Sequence, residues 1–281
     1  MVAPAALERS WSGTDGPPVW ETVLGDGLAL EHEIGTGGDH RFRYGSTLFH
    51  ISAAGDTVLC APEDRGDPAW QRQLLDTILF SASFVNGFEL LHASAVEFPQ
   101  GVVAFVAPSG GGKSSAASEL MRRGMPLFCD DVLAIGETAD GVACFPAPPV
   151  MNLPEAAASP SELGCTVIAG FPEERELWVA LSRPAASPRP LAGVYLLERD
   201  APETGAFELR GPAVLELLRH AISLPHSLAR ARSRFRLFST LAESVPVRRL
   251  CGGGTADPAA LADLVEDSLR QAPAILAGAG A

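Results

Sequence analysis

The longest unbroken apolar pattern lies in the middle of the chain. Val102 to Val106 are all apolar, and the glycine-rich stretch Ala107-Pro-Ser-Gly-Gly-Gly-Lys113-Ser114 breaks the run. Ala116, Ala117, Leu120 and Met121 then recur at helical spacing, and a further apolar run ends on Asp130 and Asp131. A continuous apolar run bounded by turn signals predicts a buried strand, and the 3–4 spacing a helix. The order is therefore strand, glycine loop, helix, then a strand that carries two acids.

Upstream, short alternating runs at Leu28–Glu31, His40–Tyr44, Thr47–Ile51 and Thr57–Cys60 predict an antiparallel meander, with Gly45-Ser46 and Ala54-Gly55-Asp56 as turns. His32, His40 and His50 fall on it without a shared spacing and read as ordinary strand histidines. Residues 1–18 are polar and contain Pro and Gly, the pattern of a frayed start. Asp67-Pro68 starts a helix with the apolar face Leu74, Leu75, Ile78, Leu79 and Ala82, and Asn86-Gly87 ends it. Phe88–Glu97 is a strand that turns at Pro99-Gln-Gly101 into the central run, which makes the two hairpin neighbours and sets His92 beside the loop strand.

Downstream, Val132–Ile135 and Val142–Phe145 predict strands around a turn at 136–141. Residues 146–176 are rich in Pro, Ala and Ser and then acidic, and predict a long functional loop, a lid or a substrate-binding segment. Strands follow at Leu177–Leu181, Gly193–Glu198 and near Phe207–Leu209, then helices over Ala213–Ile222 and Ser227–Glu243. A strand at Val247–Leu250 and a helix capped by Asp257 ahead of Pro258 close the pattern. Residues 1–66 form a β-rich region packed on or continuous with an α/β catalytic domain over 67–281.

Composition narrows the function classes. With 281 residues and 47% hydrophobic positions the chain can bury a sizeable core. Its net charge of −13 argues against a nucleic-acid partner. The five cysteines are scattered without a CxxC, which fits small buried hydrophobes in a reducing, cytoplasmic setting. No signal peptide or membrane-spanning stretch is visible. Seven arginines between Arg219 and Arg249 (Arg219, Arg230, Arg232, Arg234, Arg236, Arg248, Arg249) make a local positive island. It either neutralises an acidic partner and cradles a nucleotide, or is a solvated face whose arginines pair with acids elsewhere.

The glycine loop carries the chemistry. Gly110, Gly111 and Gly112, with Ser109 and Ser115 beside them, let backbone N–H groups turn toward phosphate oxygens, and the helix that starts at Lys113 adds its positive end. Lys113 reaches the β- and γ-phosphates, and Ser114 offers its hydroxyl to Mg²⁺. Lys113 is the sole lysine among 21 basic residues. A compact ammonium is kept where arginine's planar fork would fit poorly. The first position of the motif is Ala107 rather than glycine.

These residues resemble the catalytic domain of HPr kinase/phosphorylase and its HPr-kinase-related relatives. The resemblance rests on Leu91-His92-Ala93-Ser94 before the loop strand, on Ala107–Ser114, on Arg123-Gly-Met-Pro-Leu127, on Asp130-Asp131 and on the tail Leu241–Leu250. It implies a mixed-sheet phosphate-loop core shared with phosphoenolpyruvate carboxykinases, with ATP and Mg²⁺ as cofactors and γ-phosphoryl transfer to a hydroxyl. It also implies that one of Asp130 and Asp131 is the general base, that the other steadies a metal with Ser114, and that His92 orients or tunes the base. Ser115 stands where the bifunctional enzyme has an acid, and Glu173, Glu174 and Arg175 are the nearest counterparts of its later signature. A kinase without phosphorolysis is therefore expected, acting on a peptide, a protein or a small hydroxylated molecule. Homo-oligomers are compatible with it. A nucleotide-binding regulator or peptide chaperone with little turnover is the alternative.

Overall fold

The computed structural model describes residues 1, 7, 20–23, 29–108, 110–139, 141–155, 159–198, 200–209, 211–254 and 257–271. Ser109 and nearly all of the stretch 1–18 lie outside the described residues. The meander forms as its alternation requires. Strands β1 (Trp20–Val23), β2 (Ala29–Ile34), β3 (His40–Tyr44), β4 (Thr47–Ile51) and β5 (Val58–Ala61) pair antiparallel in sequence order. Leu30, Phe42, Phe49 and Ile51 from this sheet pack against Trp70, Ile78 and Ala82. Those three sit on α1 (Pro68–Gln73), the π-turn Leu74–Ile78 and α2 (Leu79–Val85). The Asp67 carboxylate accepts the Ala69 N–H at 2.9 Å and so caps α1. His32 and His40 bond to each other through their ring nitrogens at 2.9 Å, and His32 stacks on Phe42. They are core side chains, as the alternation predicts.

The second sheet holds nine strands. The main path runs β10 (Gly141–Phe145), β9 (Val132–Thr138), β6 (Glu89–Phe98), β7 (Gly101–Val106), β14 (Leu191–Glu198), β17 (Val247–Gly252), β15 (Thr204–Glu208). Short strands β8 (Leu127–Cys129) and β16 (Ala221–Ile222) also pair with β6. β7, β14 and β17 are parallel, and the other pairs are antiparallel, so the sheet is mixed. Every residue of β7 is buried because helices cover both faces. Val103 and Phe105 pack with residues of α3 (Lys113–Arg122) and α6 (Pro258–Gln271). Val102, Ala104 and Val106 pack with α4 (Ala213–Arg219) and α5 (Leu228–Ser244) on the opposite face.

Three expectations are corrected. The long loop expected at 146–176 is mostly ordered: β11 (Val150–Pro154), β12 (Cys165–Phe171) and β13 (Glu176–Leu181) form a third antiparallel sheet in the order β11-β13-β12. Prolines and alanines thin its alternation, yet Met151 and Leu153 are buried around Asn152. The turn expected from Gly136 starts later, since β9 runs on to Thr138. A Cβ at Gly136 would meet the Phe88 ring at 2.8 Å, so this glycine admits an aromatic ring and does not mark a turn. The helix expected to reach Ile222 stops at Arg219, and Ala221–Ile222 joins the sheet as β16.

Candidate active site

β7 delivers Ala107 and Pro108 to the loop, and α3 begins at Lys113 with Gly112 as its N-cap. The loop needs its glycines for two different reasons. Gly110 and Gly112 have φ of 71° and 96°, which disfavours any side chain. At Gly111 the limit is space, because a Cβ there would lie 2.5 Å from the Ala107 Cβ and 2.8 Å from the Pro108 carbonyl oxygen. The Gly111 N–H donates to that same carbonyl at 3.0 Å and closes the turn.

Lys113 is buried, with Nζ donating to the Ala107 carbonyl at 3.3 Å. Burial lowers its pKa, while Asp131 and Asp130 pull the other way. The next residue, Ser114, donates its hydroxyl to Asp130 Oδ1 at 3.1 Å. The Ser94 hydroxyl on β6 donates to the same oxygen at 3.0 Å, and the Asn152 N–H on β11 to Oδ2 at 3.3 Å. Burial, and then the neighbouring Asp131, push Asp130 up to about 7 in spite of these three donors.

Asp131 behaves differently. It is one of two described non-glycine residues with positive φ, at 61°. Strand neighbours point to opposite faces. A left-handed residue just after β8 breaks that alternation and turns the second carboxylate into the cleft, half-exposed. His92 Nε2 lies 3.9 Å from Asp131 Oδ1. Burial lowers the His92 pKa, helped by Lys113 and His220 and opposed by Asp131.

His92, Gly110 to Ser115, Asp130 and Asp131 line one cleft of about 440 Å³. All the expected site residues except Ser109 thus converge. Three elements supply lining that the sequence pattern did not single out: Asn152 and Pro154 on β11, Glu176 on β13, and Pro258 and Leu261 on α6. Asn152 also donates through Nδ2 to Asp76 at 2.9 Å. Arg72 ties that corner together with ion pairs to Asp76 at 3.5 Å, Glu174 at 3.0 Å and Glu176 at 2.5 Å. None of the candidates Glu173, Glu174 and Arg175 lines the cleft: Glu174 is held by Arg72, and Arg175 takes the left-handed turn of the β12–β13 hairpin. Glu176, which was not among them, does line it. No motif flags it, because its place follows from the third sheet.

The arginine island resolves mostly into pairs. Arg230 and Arg234 meet buried Glu89 at 2.9 and 3.5 Å, Arg248 meets Glu208 at 3.2 Å, and Arg249 chelates Glu198. Arg219 meets Glu216 at 3.2 Å, one turn away on α4.

No family model matches the chain, and no curated protein matches it by sequence. Among solved structures it is similar to the HPr(Ser) kinase/phosphatase from Coxiella burnetii, with 13% identity and a TM-score of 0.32, over 64% of this chain and 95% of that one. A likeness that faint leaves function to be argued from the cleft's own residues. No helix among the described residues is long and apolar enough to cross a membrane.

Proposed function

We propose that the chain is a phosphate-loop kinase, which binds ATP in the glycine loop and moves its γ-phosphoryl group to a hydroxyl. The observation that carries this is the division of labour between two adjacent carboxylates. Asp130 is bonded to Ser114 at the helix start, and Asp131 is turned into the cleft beside His92. Loop N–H groups and Lys113 take the phosphates. The acceptor oxygen attacks the γ-phosphorus, the bond to the β–γ bridging oxygen breaks and ADP leaves. The acceptor proton passes to Asp131, which His92 orients.

Mg²⁺ fits the remaining donors. Hydroxyl and carboxylate oxygens suit a hard cation, and among the described residues no group of three or more His, Cys, Asp or Glu forms a standing metal cage. Ser114 and Asp130 would hold the ion together with nucleotide phosphates, and the ion supplies neutralisation of phosphate charge. The acceptor is a peptide, a protein or a small hydroxylated molecule.

The test is phosphate transfer from ATP to candidate hydroxyl acceptors, followed by mass spectrometry. Asp131→Asn should lower transfer by roughly 10²-fold or more while ADP affinity is kept. Unchanged transfer removes Asp131 as base. Tight nucleotide binding with no transfer by the unaltered protein favours the regulator instead.

A further inference from the structure

The two ends of the nucleotide cleft differ in chemistry. His92, Lys113, Asp130 and Asp131 gather at one, where transfer would occur. Asn152 and Glu176 belong with them, since one bonds Asp130 and the other lies in the field of Asp131. Lys113 takes the β- and γ-phosphates. With the γ end at Asp131, the nucleoside must leave over the residues that follow Ser114 in α3. There the cleft is lined by Ala116 on α3 and by Pro258 and Leu261 on α6. Ala116 and Leu261 are buried in one apolar cluster, and Pro258 stands half-buried at the start of α6.

Arg123, one residue past the end of α3, holds α6 in that place. Its guanidinium donates to the Ala259 carbonyl at 2.9 Å and pairs with Asp263 at 2.6 Å and Glu266 at 3.6 Å. Its Nε donates to Glu119 on α3 at 3.0 Å. The anchor therefore grips the first turn of α6, which carries Pro258 and Leu261. What this end lacks decides what it can tell apart. Among the described residues that line it, Ser115 has the only polar side chain. A hydroxyl both donates and accepts, so it serves an adenine edge and a guanine edge alike. The nearby Asp257 carboxylate is taken by the Ala259 N–H at 3.1 Å.

We infer that Ala116, Pro258 and Leu261 form an apolar seat for the nucleobase that takes adenine and guanine alike, so that GTP serves as donor as well as ATP. This rests on the kinase function proposed above and widens its donor to either purine nucleotide. Strong choice between two bases needs a buried polar group that one base edge pairs and the other leaves unpaired. An aliphatic seat has no such group, and it gains from the apolar area that a flat ring covers. Arg123 is a positioning residue for this seat, because it fixes the turn of α6 that supplies two of the three side chains.

The probes are ADP, GDP and inorganic pyrophosphate, each with Mg²⁺, titrated by calorimetry. On the unaltered protein ADP and GDP should bind within about fivefold of each other. Leu261→Ala should weaken both by the same factor, about 3- to 10-fold, and leave pyrophosphate unchanged. Pro258→Ala, at the half-buried wall, should give the same split without opening the core, and Arg123→Gln should give it by freeing α6. The comparison of ADP with GDP stands even if a variant does not fold. A preference between the two beyond about fivefold overturns the seat and leaves the nucleotide site standing. Variants that weaken pyrophosphate as much as ADP, or that weaken neither, overturn it too. Equal binding of ADP and GDP without any γ-phosphoryl transfer from ATP or GTP upholds the seat and sinks the kinase. Binding of none of the three probes removes the nucleotide site and the seat with it.

Discussion

Asp130→Asn should stabilise the ligand-free protein at alkaline pH while it destroys Mg²⁺-dependent nucleotide binding. Burial raises the Asp130 carboxyl to about 7, against an ordinary value of 3.8. Between those values the folded chain holds a proton that the unfolded chain has lost, so this group's contribution to stability falls as pH rises from about 4 to about 7. Above pH 7 the ionised carboxylate sits buried without a cation, a cost on the order of 4 kcal/mol at about 1.36 kcal/mol per pH unit. Asparagine is never charged. It can still accept from Ser94 and Ser114, but its amide nitrogen then opposes the Asn152 N–H, which costs about 1–2 kcal/mol. The net gain at pH 8 is about 2 kcal/mol, or about 3 °C in melting temperature for a chain of this length. At pH 4 the gain disappears and the lost hydrogen bond leaves the variant less stable. Melting curves from pH 4 to 8, with and without Mg²⁺ and ADP, check this. With both ligands the ranking at pH 8 should reverse, since only the unaltered carboxylate gains from the cation. A variant equally or less stable at every pH without ligand would refute the reasoning.

Lys113→Ala removes the buried ammonium from the phosphate site and should weaken ADP binding by about 10- to 100-fold, read by calorimetry. Undiminished affinity would move the nucleotide elsewhere. Gly111→Ala should abolish nucleotide binding or lower stability by about 1–3 kcal/mol, because its Cβ strikes Ala107 and Pro108. Gly110→Ala meets nothing within 4 Å and should cost about 1–2 kcal/mol from its left-handed backbone alone. A larger loss for Gly110→Ala than for Gly111→Ala would contradict the loop geometry. In the meander, burial and then the neighbouring His40 lower His32 to about 4. The unfolded chain takes up a proton that folded His32 refuses, so stability is full above pH 6.5 and is lost as pH falls toward 4, by up to about 3 kcal/mol. Urea titrations across that range should show the slope, and His32→Phe should flatten it.

The loop was legible because its requirements are local. A strand, three glycines, a lysine and a helix start within a dozen residues need only the chain's own backbone to turn. The meander was legible for a similar reason, since alternation and tight turns pair neighbours in sequence. Of the third sheet only β13 was legible, as the run Leu177–Leu181. β11 and β12 fall in the stretch read as a loop, and they acquire their order only by pairing with β13. Asn152 went unseen with β11, and Glu176 stands one residue before the run that read as a strand. β16 shows the same limit, since two residues at the end of a helical pattern become strand only because β6 offers an edge.

The pair Asp130-Asp131 marks the boundary between the two kinds of information. Adjacency, and therefore mutual repulsion, follows from sequence alone. Which carboxylate does what was decided by tertiary structure. Ser94, Ser114 and Asn152, brought from three separate elements, enclose Asp130, and a left-handed backbone at Asp131 turns its side chain to the open cleft. Local patterns determine which residues can do chemistry, and long-range packing sets the burial and direction of each charge, on which its pKa and its reach depend.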